Sequence, residues 1–168
     1  MKKYFLILMS AMICTALFAQ KPAVSTRYSD TEIDEMITRY NRSQNRDVRA
    51  DGALAQRFRQ DFPKARLAEW ETNDEVYEVK FNIKHSEFDA YYDKDGNLLM
   101  YVQDLLKSEL PAVVLNSAQA KLPGYRFDDI DKVVKGTRTY FVIEMERGEM
   151  ESKLVISNDG KILDERKN

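Results

Sequence analysis

Cysteine is almost missing from these 168 residues: Cys14 is the only one. It lies inside an apolar run, and the residue before it, Ile13, is not the small residue a lipoprotein signal needs, so it reads as an apolar filler. From residue 20 onward there is no cysteine, which excludes a disulfide framework, a thiol nucleophile and a thiolate metal site. Histidine is as scarce. His85 alone cannot build a nucleophilic triad or a two-histidine metal centre. Beside Lys84 and Ser86 it reads as a polar strand end. An excess of one charge is also lacking. The 26 Lys and Arg against 28 Asp and Glu leave a formal charge of −2, with no basic stripe for a nucleic-acid backbone. Apolar material is not lacking. Hydrophobic residues at 43% and aromatics at 11% can fill the core of one domain of this length.

There is a single long apolar run, residues 4–18, interrupted only by Ser10 and Thr15. Lys2 and Lys3 precede it, and Leu17-Phe18-Ala19 closes it. The pattern predicts a signal peptide over residues 1–19, cut between Ala19 and Gln20. The run is too short for a transmembrane helix, so the mature chain is expected to carry no membrane span and to be periplasmic or secreted. Loss of Lys2 and Lys3 leaves 24 basic residues against 28 acidic, a net of −4.

Residues 20–52 form a polar lead-in. Ile33, Met36, Ile37 and Tyr40 follow the i, i+3, i+4, i+7 spacing of an amphipathic helix. Ser29 with Glu32 makes a capping-box pattern at its start. This helix is expected to dock weakly on the main domain, residues 53–168. That domain reads as two repeats, about 53–104 and 109–166. Phe62-Pro63-Lys64-Ala65 matches Leu122-Pro123-Gly124-Tyr125, and Asp95-Gly96-Asn97-Leu98-Leu99 matches Asp159-Gly160-Lys161-Ile162-Leu163. Between them, Val76-Tyr77-Glu78-Val79-Lys80-Phe81 matches Thr139-Tyr140-Phe141-Val142-Ile143-Glu144.

Each unit reads as a helix followed by strands. Leu54, Phe58 and Phe62, and then Val114, Ala118 and Leu122, recur at intervals of four. Asp51 can cap the first helix and Pro63 stops it, while Pro111 suits the first turn of the second. Period-two alternation marks strands around residues 77–83, 88–92, 98–102, 140–145 and 153–156. The turns Lys94-Asp95-Gly96-Asn97 and Asn158-Asp159-Gly160-Lys161 predict antiparallel hairpins. The fold class is therefore α+β, with two tandem helix-plus-antiparallel-strand repeats whose helices pack on one face of the sheet, the other face being open.

Phe62-Pro63-x-Ala65, Trp70-Glu71, Tyr77-x-Val79-x-Phe81 and Tyr92-Asp93-x-Asp95-Gly96 occur here in order. With Leu110-Pro111 and Leu122-Pro123-Gly124-Tyr125, this pattern over residues 53–166 resembles the PepSY-like family, small exported bacterial proteins described as beta-lactamase-inhibitor-like. The resemblance implies a beta-lactamase-inhibitor-protein-like architecture, in which a sheet surface meets a protein partner, and it implies a role in regulating an envelope enzyme or peptidase.

No catalytic constellation emerges, so no enzyme activity, cofactor or metal is expected. Asp93-x-Asp95-Gly96 lacks the remaining ligands of a calcium loop and reads as turn chemistry. Asp128, Asp129 and Asp131 read as an acidic strand edge. Trp70 is expected in helix–sheet packing. The candidate partner-binding residues are those assigned to the open face: Glu78, Lys80, Asp89, Tyr91, Tyr101, Tyr140 and Glu144, with Leu99 among them. Tyrosines set among charges resemble a protein-binding surface. The expected partner is a protein or peptide of the cell envelope. The alternative is an envelope carrier or sensor of a small ligand held between helices and sheet, in a pocket lined by Phe58, Phe81 and Tyr125.

Overall fold

The computed structural model describes residues 22–167, so the expected signal peptide and its cleavage point lie outside the described residues. Helix α1 spans Asp30–Arg42. The expected capping box forms: the Glu32 amide donates to Ser29 Oγ (3.3 Å) and the Ser29 amide to Glu32 Oε2 (2.7 Å). Helix α2 spans Gly52–Asp61, its first turn capped by Asp51, which accepts from the Leu54 amide at 2.8 Å. Helix α3 spans Ala112–Lys121, with Pro111 at the N-cap. Proline costs nothing there because the amide it lacks would have no intrahelical partner.

Nine strands follow one another in a single antiparallel meander. They are β1 (Arg46–Asp47), β2 (Arg66–Thr72), β3 (Val76–Ile83), β4 (Ser86–Asp93), β5 (Leu98–Asp104), β6 (Arg126–Lys135), β7 (Arg138–Arg147), β8 (Met150–Ser157) and β9 (Ile162–Lys167). Gly96 and Gly160 take positive φ (78° and 86°) in the two expected hairpin turns. The Asp93 carboxylate is spent on the first turn, accepting from the amides of Asp95 (2.9 Å) and Asn97 (2.8 Å).

Two core clusters lie on one face. Leu54, Phe58 and Phe62 of the α2 segment pack on Val79, Phe81, Phe88 and Ala90. Val114, Ala118 and Leu122 of the α3 segment pack on Ile130, Phe141, Ile143 and Leu154. Trp70 stands edge-on to Phe58, with centroids 5.4 Å apart, in the packing role expected for it. His85 is exposed at the turn between β3 and β4.

The helices of the two units, α2 and α3, share one face, but the expectation that the other face is open is corrected by α1. It lies on the opposite face, where Ile33, Met36 and Tyr40 form a third cluster with Val76, Leu99, Met100 and Val133. The chain reaches that face by passing the β4–β5 turn. The Ser25 amide bonds the Leu98 carbonyl (2.7 Å), and Tyr28 Oη donates to Asp93 (3.0 Å). Ion pairs then hold α1 from both ends: Asp30 to Arg138 (2.8 Å), Asp34 to Lys135 (2.6 Å) and Arg39 to Glu75 (2.6 Å). The lead-in is thus firmly docked rather than weakly tethered.

Candidate functional site

Because α1 covers the middle of the second sheet face, it sorts the candidate residues into three groups. Glu78 is buried beneath the helix. Its carboxylate accepts from Tyr40 Oη (3.1 Å) and from Tyr91 Oη (2.7 Å), so it fastens α1 to the sheet. Burial first, and then the Glu78 charge, push both phenols well above their ordinary range, which keeps them neutral donors. Lys80 and Asp89 pair across β3 and β4 just beyond that fastening. Lys80 is exposed, with Nζ 3.7 Å from Glu78. Asp89 is half-buried, and desolvation followed by the Glu78 charge raises its carboxyl.

The second group lies three strands away. Tyr140 is half-buried beside α1, with the Lys135 ammonium 6.0 Å from its ring centroid. Glu144 is ion-paired to Lys153 at 2.5 Å. Around Tyr140 the strands beyond α1 form a groove of about 430 Å³, floored by Tyr140, Val142, Val155 and Leu163. Arg138 and Arg166 stand at its rim, where Leu163 is 53% exposed. Val142, Val155 and Leu163 were not singled out from the sequence. The signal was present in the alternation of β7 and β8, where Val142 and Val155 face each other on the side away from Phe141 and Ile156.

The third group is Tyr101, with Leu99 beside it. Tyr101 is not on this face. It is buried against Phe62, with ring centroids 5.6 Å apart, in the α2 cluster. The cause is a bulge in β5. Tyr92 pairs with Leu98 and Tyr91 with Met100, which leaves Leu99 as an extra residue. One inserted residue reverses the in–out alternation of everything after it. Leu99 and Met100 therefore both turn toward α1, and Tyr101 turns to the core.

An acidic strip adjoins this face. Asp104 and Asp131 are directly opposite across β5 and β6. Desolvation, and then the charges of Asp129, Asp104 and Asp89, push the Asp131 carboxyl up to about 6.

The expected pocket lined by Phe58, Phe81 and Tyr125 does not form. Phe58 and Phe81 stack edge-on at 4.9 Å inside the α2 cluster, whereas Tyr125 packs on the α3 cluster. Open space on the core face lies instead between α2 and α3, over Tyr101, Gln103 and Lys132.

No helix among the described residues is long and apolar enough to cross a membrane. No protein-family model and no curated protein matches the chain. Solved structures do share its fold. A BLIP-like protein of Bacteroides fragilis superposes with a TM-score of 0.64 at 22% identity, covering 71% of this chain and 87% of that one. A DUF2874 family protein of Bacteroides uniformis gives a TM-score of 0.64 at 16% identity, covering 71% and 90%. A Bacteroides eggerthii protein described as a candidate periplasmic protein gives 0.64 at 16%, again covering 71% and 90%. The chain has a BLIP-like α+β fold, a nine-stranded antiparallel sheet with three helices.

Proposed function

We propose that the chain is an exported, non-enzymatic binding module that engages a protein or peptide through the part of the sheet face that α1 leaves bare. The observation that carries this reading is the groove over β7, β8 and β9, where Tyr140, Val142, Val155 and Leu163 make an apolar floor among Arg138, Lys153 and Arg166. An amphipathic rim around a small apolar centre is the anatomy of a partner surface. Lys80, Asp89, Tyr91 and Glu144 extend the surface past α1, while Glu78 acts from below as its support. The description of the B. eggerthii structure as a candidate periplasmic protein supports a place in the envelope, with the signal removed after Ala19. The element order, one helix and four strands taken twice, supports the two-repeat reading of residues 53–168.

The test compares the protein starting at Gln20 with its Tyr140→Ala/Val155→Asp variant. Each is immobilised against envelope proteins, and any retained protein is then purified and titrated. The expected result is one partner whose affinity falls by about tenfold or more in the variant, a loss of about 1.4 kcal/mol or more. Equal affinity for a variant with wild-type thermal stability would reject the groove.

A second reading, an envelope carrier or sensor of a small ligand, is favoured by one observation: the cleft between α2 and α3.

A further inference from the structure

Charge is sorted along one end of this sheet. In an antiparallel meander the same end gathers the start of β2, the β3–β4 turn, the end of β5, the start of β6 and the β7–β8 turn. At the corner made by the first unit stand Lys64, Arg66 and Lys84. All three are exposed, and among the described residues none is paired with a carboxylate. The acids nearest them are Glu87, which faces Asn82 across β3 and β4, and Asp61, which is buried and already accepts from Arg57 (3.0 Å). At the corner made by the second unit stand Asp128, Asp129, Glu149 and Glu151, also exposed and, among the described residues, without a cation partner. Residues 126–129 and 146–151 hold five acids and two arginines. The basic groups of this corner lie against the molecule itself: Arg126 on Glu146 (2.5 Å), Lys107 over Phe127 (4.6 Å) and Arg147 over Tyr125 (4.9 Å).

The corners also differ in reach. One cross-strand row joins Phe81, Phe88, Gln103, Lys132, Phe141 and Ile156. Beyond it β3 runs two residues further, to Ile83, whereas β7 runs six, to Arg147. At about 3.3 Å per residue the acidic corner therefore stands about 13 Å proud of the basic one. Exposed apolar side chains collect at the same end. Leu67 (79% exposed) belongs to the recessed basic corner, and Leu106 (68%) and Met150 (47%) to the protruding acidic one. Leu67 leaves the β2–β3 ladder at its register shift, with φ 56°, a backbone state that is unfavourable for leucine.

A step of this kind fits a copy of itself. A twofold axis normal to the sheet, passing through this end between β5 and β6, sets the protruding corner of each copy in the recess of the other, and the two contacts are identical, as an isologous interface requires. It also sets basic on acidic twice, whereas any arrangement that matches like corners is repelled. We propose that two copies of this chain join end to end in this way, the basic corner of each on the acidic corner of the other, with Leu67 against Met150 at both contacts. This interface uses neither the groove over β7, β8 and β9 nor the cleft between α2 and α3, and it stands or falls apart from both.

Sedimentation velocity of the protein starting at Gln20, over a concentration series, tests it. A reversible monomer–dimer equilibrium is expected, with a dissociation constant about tenfold or more weaker at about 500 mM salt than at about 50 mM, because screening shortens the reach of the corner charges. Arg66→Glu/Lys84→Glu should be monomeric, and so should Asp129→Lys/Glu149→Lys. Mixed in equal amounts the two variants should form a heterodimer within about threefold of the wild-type affinity, since each then meets the opposite sign at both contacts. Leu67→Ser removes apolar contact without touching charge and should weaken the wild-type dimer severalfold; it decides the matter if a charge variant does not fold. A wild-type protein that stays monomeric at low salt overturns the proposal. So does a dimer indifferent to salt, to the charge substitutions or to Leu67→Ser, and so does a mixture of the folded charge variants that fails to associate.

Discussion

At the scale of single residues, Asp131 shows how much electrostatic cost this sheet tolerates. It faces Asp104 across the strand pair, and like charges in direct opposition are unfavourable. Desolvation raises its carboxyl most, Asp129 on its own strand and Asp89 on β4 add to that, and Lys153 on β8 opposes them. Its carboxyl titrates at about 6 in the folded chain, against 3.8 as the reference value for the unfolded one. The folded state therefore binds the proton more readily between those values, and stability falls as pH rises through that window. Above it, the ionised group is a net liability. Asp131→Asn is accordingly expected to raise stability at pH 7 by about 1 kcal/mol, a figure reduced for the group's partial exposure to solvent. The gain should vanish near pH 4, where the wild-type carboxyl is itself neutral. Denaturant titrations of both proteins at the two pH values check this, and an equal gain at both would show that charge is not the cause. Gly160 is constrained sterically instead. It holds φ 86°, and a Cβ there would lie 2.6 Å from Val113 Cγ2 and 3.2 Å from the Val113 carbonyl oxygen. Gly160→Ala should cost about 2 kcal/mol, combining left-handed strain with overpacking, and thermal unfolding measures it.

At the scale of elements, α1 is the piece whose place decides what the second face can bind. Ile33 is fully buried, at 0% exposure, and anchors the helix on Leu99, Met100 and Val133. Ile33→Asp buries an unpaired charge in the bound position, so the helix should release while the rest of the chain keeps its own two clusters. Hydrogen exchange is expected to speed up across Asp30–Arg42 and to stay slow in β3 and β7. Uniformly faster exchange would mean that α1 is integral to the fold. Much of this element was legible in advance: its span, its cap and its buried stripe follow from the spacing of Ile33, Met36 and Tyr40 and from Ser29 with Glu32. Its face was not legible, because an amphipathic stripe names a buried side and not the surface that buries it. Strands with clean alternation, such as β3 and β7, were legible for the same reason. β2 was not, since Leu67 at φ 56° and a register shift between Arg66 and Glu69 break its alternation. β9 was not either, because one apolar pair followed by Asp164-Glu165-Arg166-Lys167 carries no period of two. Of the candidate residues, Glu78 and Leu99 lie buried beneath α1, and Tyr101 lies on the other face. At Tyr101 the single-residue bulge at Leu99 reversed the faces, and nothing in the local composition of β5 marks that insertion.

At the scale of the whole molecule, two helix-covered clusters share one sheet and are joined by the ladder between β5 and β6 and, on the opposite face, by α1, which packs on Val76, Leu99 and Val133. Five residue pairs form the ladder, from Met100–Lys135 to Asp104–Asp131. The cleft between α2 and α3 lies over this junction. A continuous sheet transmits strand order across such a link, because an unfolded β6 would strip β5 of its outer partner and expose Tyr101 and Val134 together. The two halves should therefore unfold as one unit. Trp70, the only tryptophan, reports on the α2 half, while far-ultraviolet circular dichroism reports on the entire sheet. Leu154 is fully buried in the α3 half, and Leu154→Ala should destabilise the protein by about 2–5 kcal/mol. If the halves are coupled, the Trp70 fluorescence transition moves down in step with the circular dichroism transition, although the substitution lies in the other cluster. If Trp70 instead melts at the wild-type temperature while the dichroism signal splits, the ladder between β5 and β6 is too weak to unite the clusters. The cleft above it would then be a hinge between two separately folding halves, open to change shape when a ligand enters.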